Sequence, residues 1–227
     1  FTMMNSARLN VGLEGVAVGE AAWQTAFNYA QERKQGKAAG VDGAAPILHH
    51  ADVRRMLTTM RAKVMAARAI CFATGVAADL ANVAETPEAR DAARLREELL
   101  TPIAKAWSTD MGVEIASLGV QVHGGMGFVE ETGAAQHWRD SKIAPIYEGT
   151  NGIQAADLVT RKLGMESGDV VDALIAEIWT MFEGSKQRYG APRIHVELRD
   201  RGHRVSRKTV ARFPFVVVLR KRLSGEG

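Results

Sequence analysis

Over the first 164 residues apolar side chains recur at every third or fourth position and nowhere settle into alternation. That spacing is the stripe of an amphipathic helix; a half-buried strand would need a period of two. Three long helices follow from it. The first is predicted from Met3 to about Lys34, on Leu9, Leu13, Val16, Ala17, Ala21, Trp23, Ala26, Phe27 and Ala30, with small residues that let a neighbouring helix approach closely. Gly36 to Pro46, rich in Gly and Ala, reads as a loop. The second helix is predicted from about Ala51 to Ala84, on Val53, Leu57, Met60, Val64, Ala67, Ile70, Cys71, Thr74 and Ala78. Thr86-Pro87 is an N-cap followed by proline at the first helical position, opening a third helix to about Val122 with a bend expected near Pro102. Shorter helices are expected at about Thr132 to Lys142 and Asn151 to Lys162, the last closed by Gly164. The predicted fold class is all-α, an antiparallel helix bundle over residues 1–164.

Charge divides the chain. The net +3 hides a balance of +9 from Ser185 onward, with 12 Lys/Arg against 3 Asp/Glu, and of −6 before it. Such a break argues for two pieces with different histories or partners. The single cysteine, Cys71, excludes an intrachain disulfide and a cysteine-built zinc site and suits a reducing cytoplasm. His49, His50, His123 and His137 lack metal-ligand spacing, so no metal site is expected. No unbroken run of eighteen apolar residues occurs, so no membrane span is expected, and the start lacks the charged n-region of a secretory signal. Helical periodicity is already running at Phe1, which reads as a truncation point.

The stretch richest in chemistry is Gln121 to Gln154. Glu148 follows the apolar run Ile143, Ala144, Pro145, Ile146 and Tyr147 and precedes Gly149. In such a setting burial can raise a carboxyl pKa towards neutrality and make it a general base. Gly149 lets another molecule come close to the backbone. The plain alternative for Glu148 is a first-turn residue favoured by the helix dipole. Gln121, Gly124-Gly125, Arg139-Asp140 and Tyr147-Glu148-Gly149-Thr150 together closely resemble the C-terminal signature of the acyl-CoA dehydrogenases. The resemblance covers roughly Phe1 to Leu163, the family's C-terminal helical domain; its N-terminal helical domain and middle β-domain have no counterpart in these residues.

The resemblance implies FAD-dependent α,β-dehydrogenation of an acyl-CoA thioester. Glu148 would remove the α-proton, the β-hydrogen would leave as hydride to flavin N5, and electrons would pass to an electron-transfer flavoprotein. It further implies that Asn5 and Arg8, with Tyr147 and Gly149, line the acyl-CoA site, and that Thr150 hydrogen-bonds FAD in its own active site. Arg33, in Glu32-Arg33-Lys34-Gln35, together with Gln121, Gly124 and Gly125, would reach the FAD of a neighbouring subunit in a homo-oligomer, dimer or tetramer. A guanidinium suits that task because its rigid fork matches phosphate oxygens. Two departures stand out: Gly36-Lys37 replaces the family's Phe-Gly, and Gly152 stands where many members carry Gln or Glu. Gly149 to Gln154, with Asp157 and Arg161-Lys162, looks most like the larger-subunit branch containing 3-methylmercaptopropionyl-CoA dehydrogenases. The competing reading is a catalytically inactive helical oligomerisation module fused to a basic tail.

Residues 165–184 read as a junction. Residues 185–212 form a short basic helical tail, with Ser206 as an N-cap, that resembles the helix-turn-helix segment preceding the catalytic core of insertion-sequence transposases. No acidic triad follows, and residues 213–227 stay unassigned. The expectation is a dehydrogenase frame that crosses into an insertion element, with the join between Asp172 and Ser185. An evolved basic appendage for nucleic acid is the alternative, and nucleic acid is not expected as a partner.

Overall fold

The helical periods become three long helices. The computed structural model describes residues 2–184, and the readings of 185–212 and 213–227 lie outside them. Helix α1 spans Thr2–Glu32, α2 spans Ala51–Val83 and α3 spans Pro87–His123. Thr86 Oγ1 accepts the Ala89 N–H at 3.2 Å, so the expected cap forms, and α3 runs through Pro102 without ending. Among the described residues there is no strand; an isolated bridge between Lys34 and Pro46 ties the loop after α1.

Shorter elements follow: α4 (Gly125–Phe128), a 3-10 turn at Glu130–Thr132, α5 (Ala134–Ser141), α6 (Asn151–Asp157) and a π-turn at Leu158–Lys162. The helix expected at about 132–142 forms as α5, set off from the 3-10 turn by Gly133 with its left-handed backbone (φ 76°). One expectation is corrected. Gly164 sits at φ −92°, so the left-handed reversal expected there falls instead on Glu166, Ser167 and Gly168. The stretch read as a junction contains α7, Asp169–Gly184.

The described residues form two compact units, one of residues 2–68 with 104–154 and one of 69–103 with 155–184, so α2 and α3 contribute to both. In the first unit α2 packs antiparallel to α1: Trp23 Nε1 donates to Leu57 O at 3.1 Å, while Glu20 meets Arg61 at 2.9 Å and Arg68 at 2.8 Å. Burial pushes the Glu20 carboxyl up, but hydrogen bonds from Gln24 and Arg68 and the charges of Arg61 and Arg68 outweigh it and hold the group below its usual value. Helix α3 runs parallel to α1. The two cross at glycines, where a methyl placed on Gly112 would lie 2.7 Å from Gly15 O and one on Gly15 would lie 2.6 Å from Ser108 O. Ala22, Ala26, Met56, Leu57, Met60, Val64, Ile115 and Ala116 fill the space between the three helices.

In the second unit Cys71, Thr74, Ala77 and Ala81 form the buried side of α2, and Lys162 pairs with Glu98 at 2.8 Å. By length and composition alone α2 is apolar enough to cross a bilayer, which the absence of an unbroken apolar run did not foretell. Its first half instead places Lys63 against Glu114 and both arginines on Glu20, the pattern of a helix in a polar-faced bundle.

Gly112→Ala should lower stability by about 1–3 kcal/mol in urea unfolding, because overpacking against the α1 backbone exceeds the gain of about 1 kcal/mol in helix propensity. Gly152→Ala, whose new methyl meets nothing closer than 3.8 Å, should be neutral or stabilising.

Candidate functional site

At the end of α3 His123 Nδ1 donates to Gly119 O at 2.7 Å, and its ring stacks on Tyr29 of α1 at 4.2 Å between centroids. Burial lowers the His123 pKa, its bond to Gly119 opposes that, and the charge of His137 adds to the lowering. This contact joins the C-terminal ends of the parallel helices. Each glycine that follows has a different reason. Gly124 turns the chain at φ 62°, and Gly127 is required because a methyl there would collide with Val120 O. Gly125 is neither strained nor crowded: a methyl there would meet nothing within 4 Å, so no internal contact demands glycine. Gln121 is exposed beside it, and Arg33, one residue past α1, is exposed with its carbonyl accepting Ile47 N–H at 2.8 Å. Arg33, Gln121, Gly124 and Gly125 therefore share one end of the bundle.

The chain then runs back along α1. His137 of α5 bonds Thr25 at 3.1 Å, and further on the Tyr147 hydroxyl donates to the Glu14 carboxylate. This path delivers Glu148 and Gly149 to the opposite end of the unit. Glu148 is not in a first helical turn, because α6 starts only at Asn151. It lies half-buried in a turn with φ 54°, followed by Gly149 at φ 83°. A non-glycine residue held left-handed costs about 1–2 kcal/mol and persists only where its surroundings over-determine it.

Those surroundings come from α3 and α6. Lys105, with 0% of its surface exposed, donates from Nζ to Gly149 O at 2.8 Å and to Asn151 Oδ1 at 2.9 Å. Asn151 Nδ2 donates to Ala106 O (3.0 Å), Thr109 Oγ1 (3.0 Å) and Asp110 Oδ1 (2.8 Å). Gln154 Nε2 reaches back to Gly149 O at 3.2 Å and Glu148 O at 3.4 Å. Thr150 Oγ1 accepts Ile153 N–H at 3.3 Å, capping α6 and leaving its own hydroxyl proton to donate elsewhere.

Asn5 and Arg8 lie half-buried in the first turns of α1. Burial lowers the Lys105 pKa, Asp110 opposes that, Arg8 adds to the lowering and Glu148 opposes it, which places the Arg8 charge near this end too. The predicted residues thus form two groups. Asn5, Arg8, Tyr147, Glu148, Gly149 and Thr150 gather at one end, and Arg33, Gln121, Gly124 and Gly125 at the other. Along α1 from Arg8 to Glu32 the separation is about 36 Å at 1.5 Å per residue. The sequence reading missed Lys105, Asn151 and Gln154. The available signal was a lysine at a core position of α3 among Thr101, Ala104, Ser108 and Thr109, since lysine is almost never fully buried without partners.

The family described as "Acyl-CoA dehydrogenase, C-terminal domain" matches residues 1–163. This chain belongs to the acyl-CoA dehydrogenase family. It is 49% identical over 195 residues to the 3-methylmercaptopropionyl-CoA dehydrogenase of Ruegeria pomeroyi, covering 84% of this chain and 32% of that protein. It is 35% identical to a butyryl-CoA dehydrogenase of Syntrophomonas wolfei, covering 82% of this chain and 31% of that protein. Among solved structures, an acyl-CoA dehydrogenase of Bacillus anthracis complexed with FAD superposes with a TM-score of 0.62 at 25% identity, over 79% of this chain and 32% of that one. The chain thus spans about a third of the length of these relatives. A second family, "HTH-like domain", matches residues 169–213. The Ruegeria match, at 84% of the chain, cannot end before about residue 190, so both likenesses take in α7.

Within this acyl-CoA dehydrogenase domain the Tyr147 hydroxyl is pushed up to about 12, first by its hydrogen bond to Glu14, then by burial and by the charges of Glu14 and Glu148. Glu14→Gln should bring its ionisation back towards the ordinary value near 10, read from the Tyr147 ring signal in an NMR titration.

Proposed function

We propose that this chain supplies the proton-abstracting and acyl-CoA-facing helical part of an FAD-dependent acyl-CoA dehydrogenase, with Glu148 as the base. The observation that carries the reading is the Glu148–Gly149 turn. A carboxylate sits in a left-handed backbone at one end of the bundle, with Asn5, Arg8 and Tyr147 at that same end. Strain of that kind concentrates at functional positions. Glu148 takes the α-proton, which the thioester carbonyl acidifies, and its fixed backbone sets the line of approach. Asn5, Arg8, Tyr147 and Gly149 line the acyl-CoA site.

The residues at both ends fit FAD. Thr150 has a hydroxyl proton to donate, the exposed Arg33 suits a pyrophosphate, and Gly125 is a glycine that no internal contact requires. When bound, FAD supplies the acceptor for the β-hydrogen, and an electron-transfer flavoprotein is the onward partner. Measured along α1 to Glu32, the first group lies about 27 Å away at Glu14, which holds Tyr147, and about 36 Å away at Arg8. Arg33, Gln121, Gly124 and Gly125 are assigned to the flavin of a second subunit. Phe72, Val76, Leu80 and Val83, exposed at helical spacing on α2, favour the second reading of an inactive oligomerisation module. For the tail, the crossing into an insertion element stays our reading; the Ruegeria likeness and the HTH-like likeness overlap across α7, which brackets the join between residue 169 and about residue 190.

The test is a chimera in which residues 1–163 replace the matching segment of the Ruegeria relative. It should be yellow, and acyl-CoA should bleach its flavin band. Glu148→Gln should slow bleaching by about 10²–10⁴-fold, the contribution of a general base, with FAD retained. Arg33→Ala should lose FAD first. Undiminished bleaching in Glu148→Gln sinks the base, and a colourless, self-associating chimera supports the module.

A further inference from the structure

A fully buried lysine needs a reason, because desolvating an ammonium costs several kcal/mol unless its protons find acceptors. Packing alone would be served by a leucine or methionine at that position of α3. Lys105 instead directs its ammonium out of the helix core to the carbonyl of Gly149, the residue directly after Glu148, and to the side chain of Asn151. Asn151 is itself fixed to α3 through Ala106, Thr109 and Asp110. The turn is thus bound to about one and a half turns of a single helix. Glycine suits position 149 because its φ of 83° is a conformation that other residues rarely adopt, and a methyl there would also displace Gln154 Nε2, 2.8 Å away, from its bonds to the turn.

We propose that Lys105 is a positioning residue for Glu148: its ammonium grips the carbonyl after the carboxylate-bearing residue, holds the left-handed turn, and lays a buried positive charge beside the base. The inference rests on the reading of Glu148 as the base and adds to it how that base is held ready. Uncompensated, a half-buried carboxylate tends to pick up a proton and lose its power to abstract one. A nearby ammonium opposes that at no cost in reorganisation. The charged groups facing Lys105 are Asp110 on its own helix, Arg8 from α1 and Glu148 from the turn. Near Glu148 stands Tyr147, its hydroxyl given to Glu14. Lys105 couples a charge to a direct bond on the turn backbone.

The test uses the 227-residue chain and needs neither flavin nor substrate. Carboxyl ¹³C NMR follows the Glu148 titration, assigned with Glu148→Gln, and amide exchange follows Gly149 and Thr150. In Lys105→Met the Glu148 proton affinity should rise about tenfold and exchange at the turn should speed up by about the same factor. Lys105→Gln keeps a donor without a charge; exchange should stay within about threefold of the parent while the Glu148 affinity still rises. A merely structural lysine would not separate the two readouts in this way. If Lys105→Met does not fold, the reciprocal measurement decides. Glu148→Gln should lower the Lys105 midpoint, followed through its Cε signal, because coupling between two groups is mutual. A Glu148 titration unmoved by either lysine variant, or a Lys105 midpoint unmoved by Glu148→Gln, overturns the proposal. Either result leaves the base assignment standing, whereas undiminished bleaching in the Glu148→Gln chimera removes the base itself.

Discussion

Helices α1 and α3 meet backbone to backbone because each offers a glycine at the crossing, Gly15 on one and Gly112 on the other. The helices are parallel, so residues equally far before each glycine stand side by side. Seven residues back, almost two full turns, those residues are Arg8 and Lys105. The mutual influence of their charges follows from that register. With any larger residue at the crossing the helices would separate. Lys105 would then lose the short reach that lets its ammonium meet the turn carrying Glu148. The candidate base thus depends on a contact between two residues that have no side chains.

The same parallel pair sets the division of labour along the bundle. His123 on Tyr29 joins the C-terminal ends, beside Arg33, Gln121 and the glycine turn. The returning chain, pinned at Thr25 and again at Glu14, carries Glu148 to the other end. Residues that are neighbours in the signature, Gly125 and Glu148 among them, therefore end up far apart. In the proposed enzyme each end of the bundle serves a different flavin.

Electrostatics supports both the fold and the site by different means. Glu20 gathers Arg61 and Arg68 at the edge of the core, where hydrogen bonds and opposite charges outweigh its desolvation. Lys105 is wholly enclosed and satisfied chiefly by neutral acceptors, a carbonyl and an amide oxygen. The first arrangement is a clamp between helices. The second is a buried charge bonded to the turn that carries Glu148.

Much of this was written in the sequence. A period near 3.6 fixed three long helices to within a few residues at each end, since Thr86-Pro87 and the Gly/Ala loop leave few places for a helix to begin or stop. The Tyr147-Glu148-Gly149-Thr150 signature marked the carboxylate and the family. The sequence reading did not place the left-handed reversal after Gly164, nor α7, although Val171, Leu174, Ile175 and Ile178 recur at helical spacing. Nor could it show which glycine answers to packing, which to backbone conformation and which to neither. The part played by Lys105 belongs wholly to tertiary structure: 44 residues separate it from Gly149, and its ammonium meets the turn because the folded chain lays that turn, fixed through Asn151, against α3.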